Sequence, residues 1–328
     1  MLILNKSDIK SVFSMKDAIE SSMAALSAYS AGNAIVPLRT VIDIKDQGQS
    51  LYMPAYANSM HASGVKIVSV YPKNTELGKP SILGKMLVLD ANTGEVCAIL
   101  DGAYLTQLRT GALQGAATTL LSRLDAKIAV LFGTGAQAAT QLEAMLTVRD
   151  LSEVRILDIN LERAQAFVKL MQKELPQYNI KFVAMDDSVA AIREADIITT
   201  VTTSTKPVFD GLQVQQGTHV NGIGAYLPHM QELPEDIIKR ADKIYFDTDE
   251  GVLSEAGDIL IPLNSGAVTH EDFDGELGNV ILGKSKGRES NSEITVFKAV
   301  GSAILDVVTA QHIYLRALKM NVGQRIEM

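Results

Sequence analysis

The stretch from Lys127 to Met145, KIAVLFGTGAQAATQLEAM, limits the possible folds more than any other. An apolar run, Ile128 to Phe132, breaks into Gly133-Thr134-Gly135-Ala136-Gln137-Ala138 and continues as an alanine-rich helical pattern. That is strand, tight turn, helix. Gly133 permits the sharp turn, and Gly135 removes a side chain where a pyrophosphate must approach the backbone. Ala138, in place of a third glycine, still lets the helix pack close to the strand. The N–H groups and dipole of the new helix then face the phosphates. A lone G-x-G-x-x-[GA] pattern arises often by chance, so context decides. Here a second strand, Glu153 to Leu157, ends in Asp158, 20 residues after Ala138. A carboxylate there can accept both hydrogen bonds of an adenosine ribose diol. The candidate cofactor residues from this stretch are Gly133, Gly135, Ala136, Gln137, Asp158 and Ile159.

The alternation continues downstream. A helix is predicted at Leu161 to Leu175, stopped by Pro176, and strands at Ile180 to Ala184, Asp196 to Thr202, His219 to Ile223 and Lys243 to Asp247, with a helix at Ser188 to Glu194. Strands separated by helical crossovers imply an α/β fold with a Rossmann-type, doubly wound, mostly parallel sheet. Ligands of such sheets bind outside the carboxyl ends of the strands, so Thr202, Thr203 and Gly224 are further candidate cofactor contacts. Thr295 to Met320 reads as one long helix with a wide apolar face. Such a helix must be covered, by the first part of the chain or by a partner subunit.

The first part reads differently. Ser14 is a plausible N-cap for an amphipathic helix reaching Tyr29. Strands are predicted at Leu38 to Ile44, Gln49 to Tyr56, Gly64 to Tyr71, Ser81 to Asp90 and Glu95 to Leu100, the last two joined by the hairpin turn Ala91-Asn92-Thr93-Gly94. This β-rich half carries Arg39, Lys66 and Arg109. Arg39 and Lys66 have a bland reading as outward-facing strand residues, and Arg109 as a cap or salt-bridge partner. As a trio in an acidic chain they form a candidate carboxylate-binding cluster, for which arginine's bidentate geometry is suited. A helix from Tyr104 to Leu121, rich in small residues, bridges the two parts.

The 328 residues are ample for two domains. A net charge of −8 argues against a nucleic-acid surface, and no apolar run is long enough to suggest a membrane span. No signal-peptide pattern opens the chain. Cys97 is the single cysteine and reads as a small core residue; the chain suits the reducing cytoplasm. The five histidines never take metal-ligand spacing, and no metal site is expected.

Several separated stretches together resemble the ornithine cyclodeaminase/mu-crystallin family. They are P-x-R at Pro37 to Arg39, YMPAY at Tyr52 to Tyr56, GVKIVSVYPKN at Gly64 to Asn74, GKPSILGKMLVLDANTG, LTQLRTGALQGAA, FGTGAQA, HVNGIGAYLPHMQEL, SEAGDI and GR-x-x-x-x-EIT-x-FKAVG. The resemblance implies a homodimer with two domains per chain. Residues 1–115 together with 301–328 would bind substrate and form the dimer contact, and 116–300 would bind the dinucleotide. It implies that Arg39, Lys66 and Arg109, with Met53, hold the substrate carboxylate and neighbouring groups. It adds Ser81 and Thr110 to the cofactor contacts. It also implies NAD(H) or NADP(H) as cofactor in interconversions of amino and imino acids.

One departure from the family redirects the expectation. Cyclodeaminase-like members have a pattern similar to G-A-D-x-P-G-K-x-E-L, with an aspartate as general base. This chain has Gly224-Ala225-Tyr226-Leu227-Pro228-His229-Met230-Gln231-Glu232-Leu233. A phenol with a pKa near 10 is a poor base for an ammonium group. Oxidising an amino acid needs such a base; reducing a protonated imine does not. The expected activity is therefore NAD(P)H-dependent reduction of small cyclic imino acids, with Lys66 and Tyr226 as candidate catalytic residues. The alternatives are an amino-acid dehydrogenase, an ornithine cyclodeaminase, or a nucleotide-holding protein without turnover. NADH is expected over NADPH, because Asp158 would repel a 2′-phosphate and Ile159 offers nothing to bind one.

Overall fold

A computed structural model of the chain describes residues 1–327. The chain divides into two compact units, Met1–Arg109 with Ser302–Met328, and Thr110–Gly301. Among the described residues no helix is long and apolar enough to cross a membrane.

The first unit is built on an eight-stranded sheet. Its spatial order is Gln324–Arg325, Leu2–Leu4, Val96–Asp101, Ile82–Asp90, Ala62–Val70, Gly48–Ala57 and Ala34–Ile35, with Thr40–Ile44 also paired to Gly48–Ala57. All pairings are antiparallel except that of Leu2–Leu4 with Val96–Asp101. The helix Met15–Ser30 starts where expected. Ser14 accepts from the Asp17 N–H while Asp17 accepts from the Ser14 N–H, a reciprocal cap that satisfies two end donors. Against it, and across the strands Gly48–Ala57, Ala62–Val70 and Ile82–Asp90, packs the helix Ala303–Met320. Every residue from Ala303 to Ala310 is buried. The C-terminal helix is thus covered by the first part of its own chain.

That helix is shorter than the sequence pattern suggests. Thr295–Lys298, read as its first turn, is instead a strand. It lies between His219–Gly222 and Lys243–Phe246, in register with both. Four apolar or long residues buried on both faces carry no periodicity, so pattern alone cannot tell such a strand from a helix start. Gly301, at φ +85°, and then the Ser302 N-cap separate it from the helix proper.

The second unit is an eight-stranded sheet in which every pairing is parallel. The order is Lys181–Met185, Glu153–Leu157, Ile128–Phe132, Ile197–Thr200, His219–Gly222, Thr295–Lys298, Lys243–Phe246 and Gly275–Glu276. The chain starts in the interior at Ile128–Phe132, winds outwards one way through Glu153–Leu157, then returns to Ile197–Thr200 on the other side. The reversal point lies between Ile128–Phe132 and Ile197–Thr200, where a doubly wound sheet opens its ligand crevice. One apolar cluster joins Val130, Ile198, Val220, Ile244 and Val296 to Ile237, Val252 and Ile259 from the covering helices. Two arginines, Arg149 buried and Arg288 half-buried, finish the helix Gly102–Leu121, which begins in the first unit. Arg149 donates to the carbonyls of Thr118, Thr119 and Ser122, and Arg288 to that of Leu121. These carbonyls lie in and just past the last turn, where the helix supplies few donors of its own; that of Thr118 also accepts from Ser122 N.

Candidate active site

In the second unit the turn after Ile128–Phe132 takes the form a phosphate cradle requires. Gly133 sits at φ +101°, and a Cβ there would lie 2.7 Å from the Val201 carbonyl. A Cβ on Gly135 would meet only open space, so the backbone is bare where a pyrophosphate would approach. Gly135 and Ala136 are exposed. The helix Ala138–Val148 has Gln137 at its N-cap with no side-chain hydrogen bond to the first turn. The Gln137 Oε1 atom has no hydrogen-bond partner among the described residues. An uncapped helix start with a bare glycine before it suits a dinucleotide pyrophosphate.

Asp158 is positioned by this turn. Its Oδ2 accepts from Thr134 N at 3.1 Å and Thr134 Oγ1 at 2.5 Å, and its Oδ1 accepts from Asn160 N at 3.2 Å. Burial works against its charge, but the bonds from Thr134 and Asn160, with the Arg163 guanidinium, hold its carboxyl below the usual range. Ile159 beside it is fully exposed. Thr202 and Thr203 follow the strand Ile197–Thr200, and Gly224 follows His219–Gly222. The candidate cofactor residues of this unit thus gather at strand ends around the reversal point. Thr110 is half-buried in the helix Gly102–Leu121, next to Gly111, where a Cβ would lie 2.4 Å from the Thr140 carbonyl oxygen in the helix Ala138–Val148. Tyr226, 41 % exposed, lies in the loop beyond Gly224.

In the first unit the cation trio is organised by a residue the sequence reading passed over. Ala62, Gly64 and Lys66 are the buried, alternate positions of the strand Ala62–Val70, so Lys66 points into the unit. Its Nζ donates to Asp306 Oδ2 at 2.6 Å, and Arg109 donates through Nε to Asp306 Oδ1 at 3.0 Å. Lys66 is 2 % exposed, Arg109 6 % and Asp306 0 %. Arg39 is half-buried and close enough for its charge to act on Lys66. Burial is the largest influence on Lys66. It is opposed by Asp306 and reinforced by Arg109 and Arg39, and the pKa falls to about 8. Met53 is the cross-strand neighbour of Lys66 on one side and Met86 on the other. Ser81 stands just before the strand Ile82–Asp90, its carbonyl accepting from Tyr71 N. One carboxylate between two buried cations leaves the cluster with a net positive charge. A signal for Asp306 existed in the sequence: a lone acid inside the apolar run Ala303-Ile304-Leu305-Asp306-Val307-Val308 is costly unless paired.

A doubly wound parallel sheet with a bare glycine turn at its reversal point defines a Rossmann-type dinucleotide-binding fold. The chain belongs to the ornithine cyclodeaminase/mu-crystallin family, whose model matches residues 1–321. It is 40 % identical to a Δ1-pyrroline-2-carboxylate reductase of Bacillus cereus over 330 residues, covering the whole of both chains. Among solved structures it is similar to the Δ1-pyrroline-2-carboxylate reductase of Thermococcus litoralis in complex with NADH and L-proline. That match has a TM-score of 0.93 and 40 % identity over 99 % of this chain and 100 % of the other. An archaeal alanine dehydrogenase dimer with bound NAD also matches, with a TM-score of 0.91 and 35 % identity, over 100 % of this chain and 99 % of that one.

Proposed function

We propose that this chain is an NAD(P)H-dependent reductase of small cyclic imino acids, converting Δ1-pyrroline-2-carboxylate or Δ1-piperideine-2-carboxylate to proline or pipecolate. The observation that carries the reading is the buried, net-positive Lys66–Asp306–Arg109 cluster, in a chain 40 % identical throughout to a reductase of that class. The imino acid has one carboxylate to be held. Arg109 binds Asp306 through Nε, not through its terminal fork, and the fork is the part that grips a carboxylate bidentately. Arg39 is the second candidate for that carboxylate, with Met53 lining the same site. Lys66 contacts the carboxylate or the imine region as an ammonium. When bound, NADH supplies the hydride that reaches the imine carbon. Two acids of the second unit, Glu232 and Asp258, cannot replace the missing base. Both are fully buried, and all four of their oxygens accept from N–H groups or from Lys298. A panel of five- and six-membered cyclic imines with NADH, beside alanine and ornithine with NAD⁺, tests this. Cyclic imines should be the efficient substrates. A preference for alanine oxidation would favour the dehydrogenase reading instead.

Two expectations concern the site directly. Lys66 must be charged to act, and its pKa is lowered to about 8. Activity should therefore be full below that pH and fall about tenfold per unit above it, as the ammonium loses its proton. A profile of kcat/KM flat from pH 7 to 10 would remove Lys66 from the reaction. The second expectation is a preference for NADH over NADPH by about tenfold or more, from the repulsion between Asp158 and a 2′-phosphate. Arg163, 3.6 Å from Asp158, works against that preference by offsetting part of its charge. Equal or better kcat/KM with NADPH would contradict the assignment.

The homodimer has a candidate surface in the first unit. The strand Thr40–Ile44 is exposed on both faces, and Val41, Ile42 and Ile44 are each at least 40 % exposed. A strand with apolar residues on both open faces is unusual unless something covers it. Sedimentation should give twice the 35.3 kDa chain mass, and Val41→Asp with Ile42→Asp should reduce it to one chain. A monomer before substitution would refute the surface.

A further inference from the structure

Three backbone N–H groups lie just past the carboxyl ends of two neighbouring strands, Ile197–Thr200 and His219–Gly222, where the ladder has stopped. All three donate to one side chain. Glu232 Oε1 accepts from Thr202 N at 2.5 Å, and Oε2 accepts from Gly224 N at 2.7 Å and Ala225 N at 2.8 Å. Glu232 is 0 % exposed. It fits only because residue 224 is glycine: a Cβ there would lie 2.2 Å from the Thr202 carbonyl oxygen and 2.7 Å from Glu232 Oε1. The backbone of Glu232 is fixed from beneath. Asp258 Oδ1 accepts from the N–H groups of Glu232 and Leu233, and Asp258 Oδ2 is bound by Lys298 Nζ at 2.7 Å. Burying a carboxylate this completely is costly unless the bonds it makes repay the lost hydration.

The placement gives the device a use. Asp158 ends the strand on one side of Ile128–Phe132, and Thr202 and Gly224 end the strands on the other. A dinucleotide with its adenosine ribose at Asp158 and its pyrophosphate at Gly135 extends its other half towards Thr202 and Gly224. We propose that Glu232 is a positioning residue that fixes these two loops as the seat of the nicotinamide half, with Asp258 and Lys298 as its foundation. This rests on the cofactor reading above. Glu232 touches neither cofactor nor substrate in this scheme; it sets the backbone that does.

Glu232→Gln keeps the size and removes the function. An amide has one acceptor oxygen, so its NH₂ must face either Thr202 N–H or the N–H pair of Gly224 and Ala225, and one loop is released. Calorimetric titration with two probes tests this on the intact protein: NADH, which needs both halves of the site, and ADP-ribose, which needs only the half at Gly135 and Asp158. Glu232→Gln should weaken NADH at least tenfold and leave ADP-ribose within threefold. If that variant does not fold, Glu232→Asp keeps the charge but shortens its reach by one methylene, so that one loop is again released, and it should give the same split. Equal weakening of both probes would reduce Glu232 to a general fold element and overturn the proposal, as would no change in either. An unmodified protein that binds neither probe would refute the cofactor reading itself, before any variant is compared.

Discussion

Asp306→Ala should cost about 3–5 kcal/mol of folding stability, read from denaturant midpoints, because it strands two buried cations at once. Lys66 and Arg109 lose the one carboxylate that both of them bind. The same change should alter activity in a defined direction. Asp306 is the influence that raises the Lys66 pKa against burial and against Arg109. Without it the pKa falls below about 8, so the high-pH loss of activity moves towards neutrality. A variant that keeps both its denaturant midpoint and its pH profile would show that the cluster neither holds the fold nor sets the Lys66 charge.

Arg109→Ala is expected to lower kcat/KM for the imino acid by roughly two orders of magnitude or more, the usual consequence of losing an aligned, charge-assisted carboxylate contact. NADH affinity should change little. Arg109 also lowers the Lys66 pKa, so its removal should move the high-pH limb up, opposite to Asp306→Ala. Opposite movements in the two variants would tie all three residues to one electrostatic unit. An Arg109→Ala enzyme with near-normal turnover would take Arg109 out of the site.

Much of this was legible in the sequence, and the limits have physical causes. The glycine turn, Asp158 and the strand–helix alternation are local signals, since each depends on residues close in the chain, and together they define the parallel sheet. The strand Thr295–Lys298 was misread because a short run buried on both faces shows neither of the two periods that mark strand or helix. Arg39, Lys66 and Arg109 could be picked out as misplaced charges. The acid that joins two of them lies 240 positions after Lys66, on a helix whose return to the first unit only packing decides. Glu232 was in plain view beside Tyr226, but its role depends on three N–H groups, one of them 30 residues upstream. Side-chain pairs of such sequence separation leave no mark in a single sequence beyond a charge set among apolar neighbours.

The most direct test of the central claim follows the hydride. With Δ1-pyrroline-2-carboxylate and NADH carrying deuterium at both C4 positions, the unmodified protein should form proline with one deuterium at C2, in step with NADH consumption. Proline without deuterium, or no turnover of the cyclic imine alongside efficient release of ammonia from ornithine, would contradict the account, since the chain would then contain a base that neither Tyr226 nor the buried acids supply.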